Sequence, residues 1–266
     1  MTNAIMRVAW VTDVHLSFCD VERMKAFATA IMRERPDRIL ITGDTGEAED
    51  VAKFFELLAA IAPCHGVLGN HDYYGSSIAA VRERVRPLGW WLPAAPVRLT
   101  EATTLIGVDG WGDGRCGNLA STVKLADWQQ IAELDGLLWC DAEKRCATLQ
   151  ALGDAEAAAL QAQLDTVDGR ELIVLTHVPP FPEACWYDGK QSSPEWLPWF
   201  TCVAVGEVLR AYAIAHPDVQ LTVLCGHTHG SGEVRVADNL RVRTGGWKPG
   251  AKSYGNPIVQ DAWTVR

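Results

Sequence analysis

Five short apolar runs each end in residues that can bind a metal ion, and this recurrence limits the possible folds more than any other feature. The runs are rich in β-formers and end in "TDVH", "TGD", "GNHD", "THVPP" and "CGHTHG". An apolar run bounded by Gly or Pro is typical of a buried strand that enters a turn. One such ending carries little information, because Asp, Asn and Gly are ordinary turn formers. Five endings of this kind predict strands whose ends meet at one site.

The histidines concentrate at these strand ends. Of the seven histidines in the chain, five stand there: His15, His71, His177, His227 and His229. His227 and His229 are two positions apart, so in an extended segment both imidazoles point to the same side. Imidazole is the commonest side-chain metal ligand, and the pattern therefore indicates a metal site. For His65 and His216, which lie elsewhere, a structural role is the favoured interpretation.

Strand and helix patterns alternate along the chain. Apolar residues at helical spacing in "DVERMKAFATAIMRERP", "EDVAKFFELLAAIAP" and "SIAAVRERVRPLG" predict helices between the first strands. Strand, helix and strand in succession predict parallel strands, with ligands beyond their carboxyl ends. A long helical pattern runs from Leu125 to about Leu164, with Gly136 and Gly153 as expected breaks. The alternating C-terminal part predicts antiparallel strands, so we expect an α/β fold with two packed mixed sheets and helices outside.

Composition excludes several classes of protein. The chain has 266 residues and a formal net charge of −9 without a Lys- or Arg-rich run, which disfavours a nucleic-acid-coating role. We expect one domain over residues 1–266, elaborated by helices and loops around 112–166. No apolar stretch approaches the ~20 residues that span a bilayer. The N-terminus lacks a signal-peptide pattern, and the eight cysteines form no C-x-x-C pair, so we expect a cytoplasmic protein with reduced thiols.

In their order along the chain, Asp13-x-His15, Gly43-Asp44, Gly69-Asn70-His71-Asp72, His177 and Gly226-His227-Thr228-His229 resemble the signature of calcineurin-like metallophosphoesterases. The resemblance implies a four-layer αββα sandwich and hydrolysis of phosphoester bonds. It also implies two divalent metal ions, for which oxygen and imidazole ligands suit manganese, iron or zinc.

The resemblance also assigns ligands. One metal would be held by Asp13, His15, Asp44 and His229, and a second by Asp44, Asn70, His177 and His227, so that Asp44 would bridge them. A carboxylate has two oxygens and can serve two cations. His71 is outside this ligand set. We expect it to stabilise the transition state or protonate the leaving oxygen, with Asp72 as its orienting partner.

The sequence gives less information about the residues that would contact the substrate than about the metal ligands. Residues 179–202 form a long, Pro-punctuated aromatic segment after His177, in which Trp186, Tyr187 and Trp196 are candidates for a substrate lid. An oligomer interface is the alternative interpretation. Arg115, and further on Lys248 and Lys252, are candidate anion contacts.

The stretches "GDTGEAE" and "GNHDYYG" depart from the forms typical of protein serine/threonine phosphatases, which favours a small substrate. We expect a phosphodiester such as a cyclic nucleotide. A phosphomonoesterase acting on a small metabolite or a protein, and a nuclease, stay as alternatives. A noncatalytic scaffold would predict replaced ligands, and none is replaced.

Overall fold

Two mixed β-sheets with helices on their outer faces make up most of the chain. The computed structural model describes residues 5–137, 142–247 and 254–265. The strands are β1 (Met6–Val11), β2 (Arg38–Thr42), β3 (Cys64–Val67), β4 (Val97–Arg98), β5 (Thr103–Gly107), β6 (Glu171–Leu175), β7 (Trp186–Tyr187), β8 (Lys190–Gln191), β9 (Gln220–Cys225), β10 (Gly232–Ala237), β11 (Leu240–Thr244) and β12 (Asp261–Val265). The helices are α1 (Val21–Glu34), α2 (Val51–Ala59), α3 (Ile78–Val85), α4 (Asp127–Gln130), α5 (Ala142–Leu164), α6 (Leu197–Phe200) and α7 (Val203–Ala215).

The first sheet has the order β12-β1-β2-β3, and the second has the order β10-β11-β9-β6-β5-β4. Within each sheet, the strands that carry the predicted site residues run parallel to one another: β1, β2 and β3 in the first sheet and β6 and β9 in the second. The C-terminal strands behave as the alternation predicts, since β10 pairs antiparallel with β11 and β12 pairs antiparallel with β1. In addition, β11 pairs parallel with β9.

Three apolar clusters hold the layers together. The cluster between the sheets includes Trp10, Leu40, Leu105 and Leu175. A second cluster packs α1, α2 and α3 against the outer face of the first sheet, and a third packs α5 and α7 against the outer face of the second. The layers therefore follow the order helix, sheet, sheet, helix, which confirms the predicted fold class.

The long helix α5 differs from the sequence-based expectation at Gly153. The helix continues through this residue, whereas Gly136, at φ 77°, lies in a turn before it. A Cβ at position 153 would lie 2.6 Å from the Cβ of Asp113. Glycine is therefore needed here because α5 approaches the loop around Asp113 closely, and the residue does not break the helix.

No helix among the described residues is long and apolar enough to cross a membrane.

Candidate metal centre

The predicted ligands follow five strands whose carboxyl ends meet. Asp13 and His15 follow β1, Asp44 follows β2 and Asn70 follows β3, while His177 follows β6 and the pair His227 and His229 follows β9. The two groups are joined by hydrogen bonding, since the His177 side chain reaches the first sheet and its Nδ1 lies 2.8 Å from the Thr42 carbonyl oxygen. The site therefore lies where the edges of the two sheets converge.

The backbone at these positions is unusual. Seven described non-glycine residues have positive φ, and five of them are predicted ligands: Asp13 (49°), His15 (45°), Asp44 (52°), His227 (70°) and His229 (59°). The left-handed region costs of order 1–3 kcal/mol for such residues and persists where the surrounding structure enforces it. Strain of this kind concentrates at functional sites, and here it turns each ligand out of its strand toward the common centre.

The first cluster consists of Asp13, His15, Asp44 and His229. One ligand atom from each lies within 4.8 Å of the others. Asp13 Oδ1 is 3.4 Å from His229 Nε2, and His15 Nε2 is 3.5 Å from Asp44 Oδ2. Three of the four side chains are buried, and His229 is partly exposed.

The second cluster consists of Asp44, Asn70, His177 and His227. Asp44 Oδ1, the oxygen that does not face His15, is 3.4 Å from His177 Nε2. Asn70 Oδ1 is 3.1 Å from His177 Nε2 and 3.0 Å from His227 Nδ1. The Asp44 carboxylate thus presents one oxygen to each cluster, as a bridging ligand requires.

The second cluster directs acceptor atoms at one another. His177 Nδ1 donates to the Thr42 carbonyl at 2.8 Å, and His227 Nε2 donates to the Trp199 carbonyl at 3.3 Å. When each ring carries a single proton, as a metal-bound imidazole does, the opposite nitrogens are lone pairs only 3.2 Å apart beside the Asn70 carbonyl oxygen. These three acceptors repel one another unless a second proton on His177 or a cation lies between them, so the donor set fits a metal ion that displaces that proton.

His15 supports the same conclusion for the first cluster. Both of its ring nitrogens are buried without a hydrogen-bond partner among the described residues. A buried polar atom without a partner costs free energy, and a metal ligand is one explanation for its retention. The residues present therefore fit two divalent cations, one per cluster.

Electrostatics in the site favour a positive charge. Burial opposes protonation of His177, but the adjacent Asp44 carboxylate outweighs it and raises the pKa of His177 to about 10. Burial would raise the pKa of Asp44, yet the surrounding histidines hold it well below its usual range. Burial lowers the pKa of His15 and of His227 to about 3, so both remain neutral ligands near pH 7.

His71 is buried beside the first cluster, with its ring centroid 4.6 Å from that of His15. Its ring stacks on Tyr74 with centroids 4.1 Å apart, and its Nε2 is 3.4 Å from the Tyr254 hydroxyl. Its Nδ1 is buried without a partner among the described residues.

The predicted pairing of Asp72 with His71 is wrong. Asp72 Oδ1 accepts from the backbone N–H groups of Thr45 and Gly46, each at 2.9 Å, and Oδ2 accepts from Gly69 N–H at 2.8 Å. The two residues stand in one 3₁₀ turn, His71–Tyr73, where successive side chains point in different directions. Asp72 instead ties the loop after Asp44 to the turn before Asn70.

A cavity of about 620 Å³ opens over both clusters. Asp44, Asn70, His71, His227 and His229 contribute to its floor. The rest of its lining includes the aromatic wall, which we define as Tyr187, Trp196 and Phe200, and the exposed Lys124 and Lys190.

Two of the predicted substrate contacts lie in this cavity and two do not. Tyr187 and Trp196 line it. Arg115 is absent from the lining, and its guanidinium pairs with Asp113 at 3.1 Å and with Asp154 at 2.7 Å. Trp186 is likewise absent, because its indole packs against Gly232, where a Cβ would overlap the ring. Lys248 and Lys252 lie outside the described residues.

Four residues near the clusters escape prediction from the sequence: Tyr74, Asp127, Trp247 and Tyr254. Trp247 stacks on His229 with centroids 3.9 Å apart, and Tyr254 packs against His15 at 4.4 Å. Tyr74 follows the "GNHD" motif by two residues, and this proximity is the one sequence feature that could have indicated a place near the site. Asp127 is the first residue of α4, Trp247 and Tyr254 lie outside the helices and strands, and no strand-end motif contains any of the three.

The fold and the donor set together define a binuclear metallohydrolase type of centre. A family model described as calcineurin-like phosphoesterase matches residues 6–231. The chain therefore belongs to the calcineurin-like phosphoesterase family and is a hydrolase of phosphoric esters. No curated protein sequence matches the chain.

Solved structures share the fold at low identity. A phosphopantetheinyl hydrolase from Mycobacterium tuberculosis is 15% identical with a TM-score of 0.65, covering 95% of this chain and 94% of its own. A dimetal phosphatase from Danio rerio is 15% identical with a TM-score of 0.56, covering 92% of this chain and 89% of its own. A purple acid phosphatase from yellow lupin is 12% identical with a TM-score of 0.51, covering 99% of this chain and 50% of its own.

Proposed function

We propose that the chain hydrolyses a small organic phosphodiester, such as a cyclic nucleotide, at a binuclear metal centre. The observation that carries this proposal is the cavity of about 620 Å³ above two adjoining ligand clusters, which the aromatic wall also lines. Small-molecule sites typically measure about 300–1,000 Å³ and combine apolar walls with a few convergent polar groups. The cavity has both the size and the composition of such a site.

The metal-binding residues fall into two sets, one for each cation. Asp13, His15, Asp44 and His229 would hold one cation, and Asn70, His177 and His227 would hold the other together with Asp44. When bound, two divalent cations supply Lewis acidity toward phosphoryl oxygens and lower the pKa of water.

His71 is the candidate acid. Its Nε2 lies at the cavity floor, 3.4 Å from the Tyr254 hydroxyl, where a proton can pass to a leaving oxygen. Burial raises the pKa of Tyr254 to about 12, so its hydroxyl stays protonated near pH 7 and can hydrogen-bond to His71 or to the substrate.

The aromatic wall favours a diester over a monoester. A monoester carries one organic group, whereas a diester carries two, so a diester needs more organic surface around the metal centre. Trp196 is 39% exposed and Tyr187 is 58% exposed, although large aromatic rings usually bury most of their surface. Rings that are exposed and line the cavity are available to stack on a flat group such as a base.

The exposed lysines of the cavity support an anionic substrate. Lys124 and Lys190 lie in its lining, and neither forms an ion pair with another described residue. Their charge offsets the net charge of −9 locally and would attract phosphorylated molecules. A nuclease would need a longer basic surface than two lysines provide.

The test compares bis(p-nitrophenyl) phosphate, p-nitrophenyl phosphate and cyclic nucleotides as substrates of the manganese-loaded protein. Asp44→Asn should abolish activity, whereas Asp168→Asn, at a carboxylate whose side chain is 94% exposed, should leave it unchanged. Trp196→Ala should raise KM for the nucleotide more than for the nitrophenyl diester. A preference for the monoester would contradict the diester proposal. Since the mycobacterial neighbour is described as a phosphopantetheinyl hydrolase, a phosphopantetheinyl ester is the next substrate to try.

A further inference from the structure

A buried carboxylate that belongs to neither ligand cluster contacts the side chain of Asn70. Asn70 Nδ2 donates to Asp127 Oδ1 at 2.9 Å and to the Tyr74 hydroxyl at 3.3 Å. The Tyr74 hydroxyl donates to the same Asp127 oxygen at 2.6 Å. Asp127 is 8% exposed and Tyr74 is 9% exposed, so the three side chains form a largely buried network beside the second cluster.

The chemistry of this network fixes the direction of the Asn70 amide. An ionised carboxylate can only accept hydrogen bonds, so the amide edge that faces Asp127 must be the NH₂ group. The carbonyl oxygen of Asn70 must then face His177 and His227, where it lies 3.1 and 3.0 Å from their ring nitrogens. The reversed amide would set its oxygen against the carboxylate and its NH₂ toward the cation position, which are two unfavourable contacts.

Asp127 is held in place by several hydrogen bonds between its own segment and the loop that follows Asn70. We call residues 126–133 the docked segment. Gly75 N–H donates to the Gln130 carbonyl at 2.8 Å, and Ala132 N–H donates to the Ser76 carbonyl at 3.0 Å. The Glu133 carboxylate accepts from Ile78 N–H at 2.8 Å and from Ala79 N–H at 3.1 Å, at the start of α3.

We propose that Asp127 is a positioning residue that sets the affinity of the second cluster for its divalent cation by orienting the Asn70 carbonyl oxygen. The inference rests on the proposed binuclear centre. It assigns a function to the elaboration in the middle of the chain, because a segment outside the five strand ends supplies a partner that one metal ligand requires. Partners behind metal ligands usually contribute about 10–100-fold in metal affinity.

The test measures Mn²⁺ binding to the metal-free protein by isothermal titration calorimetry, with electron paramagnetic resonance to count bound ions. Asp127→Ala should weaken one of two sites by about 10–100-fold and leave the other within about threefold of wild type. Asp127→Asn should weaken binding less, because its amide oxygen can still accept from Asn70. Tyr74→Phe removes one partner of Asn70 and of Asp127 without opening a large cavity, and should give an intermediate loss.

Asp168→Ala is the control, since this carboxylate is 94% exposed and pairs with Arg98 rather than with a residue of either cluster. It should bind both ions as wild type does. Wild-type binding of both ions by Asp127→Ala, or an equal loss in Asp168→Ala, would overturn the inference. If Asp127→Ala does not fold, Tyr74→Phe decides in its place, and an unchanged affinity there overturns the inference.

The Mn²⁺-binding measurement does not depend on hydrolysis of any ester. A protein that binds two ions with the expected Asp127 dependence but cleaves no ester refutes the proposed function and supports the inference. A wild-type protein that binds fewer than two ions overturns the inference itself.

Discussion

Replacing Arg82 by methionine should destabilise the fold by about 3–5 kcal/mol, the range typical for removal of one partner from a buried ion pair. One guanidinium nitrogen of Arg82 is 2.8 Å from Asp109 Oδ2 and 2.5 Å from Glu156 Oε1. Asp109 is fully buried and Glu156 is 3% exposed. Methionine fills similar space, so the change removes the charge with little loss of packing.

Removal of Arg82 leaves the two carboxylates with different numbers of hydrogen-bond donors. Asp109 keeps three other donors, namely Leu68 N–H at 2.7 Å, Trp91 Nε1 at 3.0 Å and the Tyr73 hydroxyl at 2.6 Å. Glu156 keeps one, Gly110 N–H at 3.3 Å. The predicted loss of stability therefore arises mainly at Glu156.

The loss should depend on pH. Burial raises the pKa of Glu156, and Arg82 opposes that rise. Without Arg82 the folded protein keeps the Glu156 proton at a pH where the unfolded chain has released it. Stability then falls as the pH rises above the unfolded pKa, which is about 4.3. The difference in free energy of unfolding between the variant and the wild type should accordingly be larger at pH 8 than at pH 5.5.

The assay is urea unfolding of the metal-loaded protein, with the midpoint and slope fitted for each variant. Arg98→Met is the control, because Arg98 pairs with the exposed Asp168 and such pairs contribute little. Arg82→Met/Glu156→Gln should be more stable than the sum of the single changes by about 1–3 kcal/mol, since the two sites interact directly. A loss in Arg82→Met no larger than that in Arg98→Met would refute the reasoning.

Three further predictions concern the metal centre and the packing of glycines. Removal of metal by a chelator should lower the melting temperature, and Mn²⁺ at 100 times its Kd should restore about 2.7 kcal/mol, measured by calorimetry; an unchanged melting temperature would contradict the assigned centre. Gly69→Ala should lose metal binding, because its Cβ would overlap Asp44 Oδ1 and lie 2.6 Å from Asp44 N, whereas Gly169→Ala, whose Cβ would lie 3.3 Å from its nearest neighbour, should bind metal normally in the same titration. Gly153→Ala should destabilise the protein in thermal unfolding although it gains about 1 kcal/mol of helix propensity, because the new Cβ would meet Asp113; a stabilised variant would show that this contact relaxes freely.

The ligand residues were predictable because they stand at the ends of strands, whose positions a sheet determines. Asp13, Asp44, Asn70 and His177 come shortly after parallel strands, so their meeting point follows from the parallel pairing within each sheet and from the packing of the two sheets against each other. The alternation of strands and helices predicted parallel strands with helices outside, and the two sheets agree with that prediction.

The walls of the site were not predictable in the same way. Arg115 has an acid two residues away and another thirty-nine residues away, and the second partner becomes a neighbour only when α5 packs beside the loop. Trp186 was expected at the substrate and instead covers Gly232. Asp127 carries no strand-end signal, because its importance depends on how the docked segment folds back onto the loop after Asn70.

The position of the centre between the sheets links metal binding to the assembly of the fold. Asp13, from the first sheet, accepts the backbone N–H of His227, from the second, at 3.0 Å. In the opposite direction, His177 from the second sheet donates to the Thr42 carbonyl of the first. Each cluster therefore contains ligands from both sheets, and a cation bound there is shared between two separately hydrogen-bonded layers. Because five ligands have strained backbones, the contacts that hold them must offset that cost, and bound cations would add to those contacts only in the folded chain.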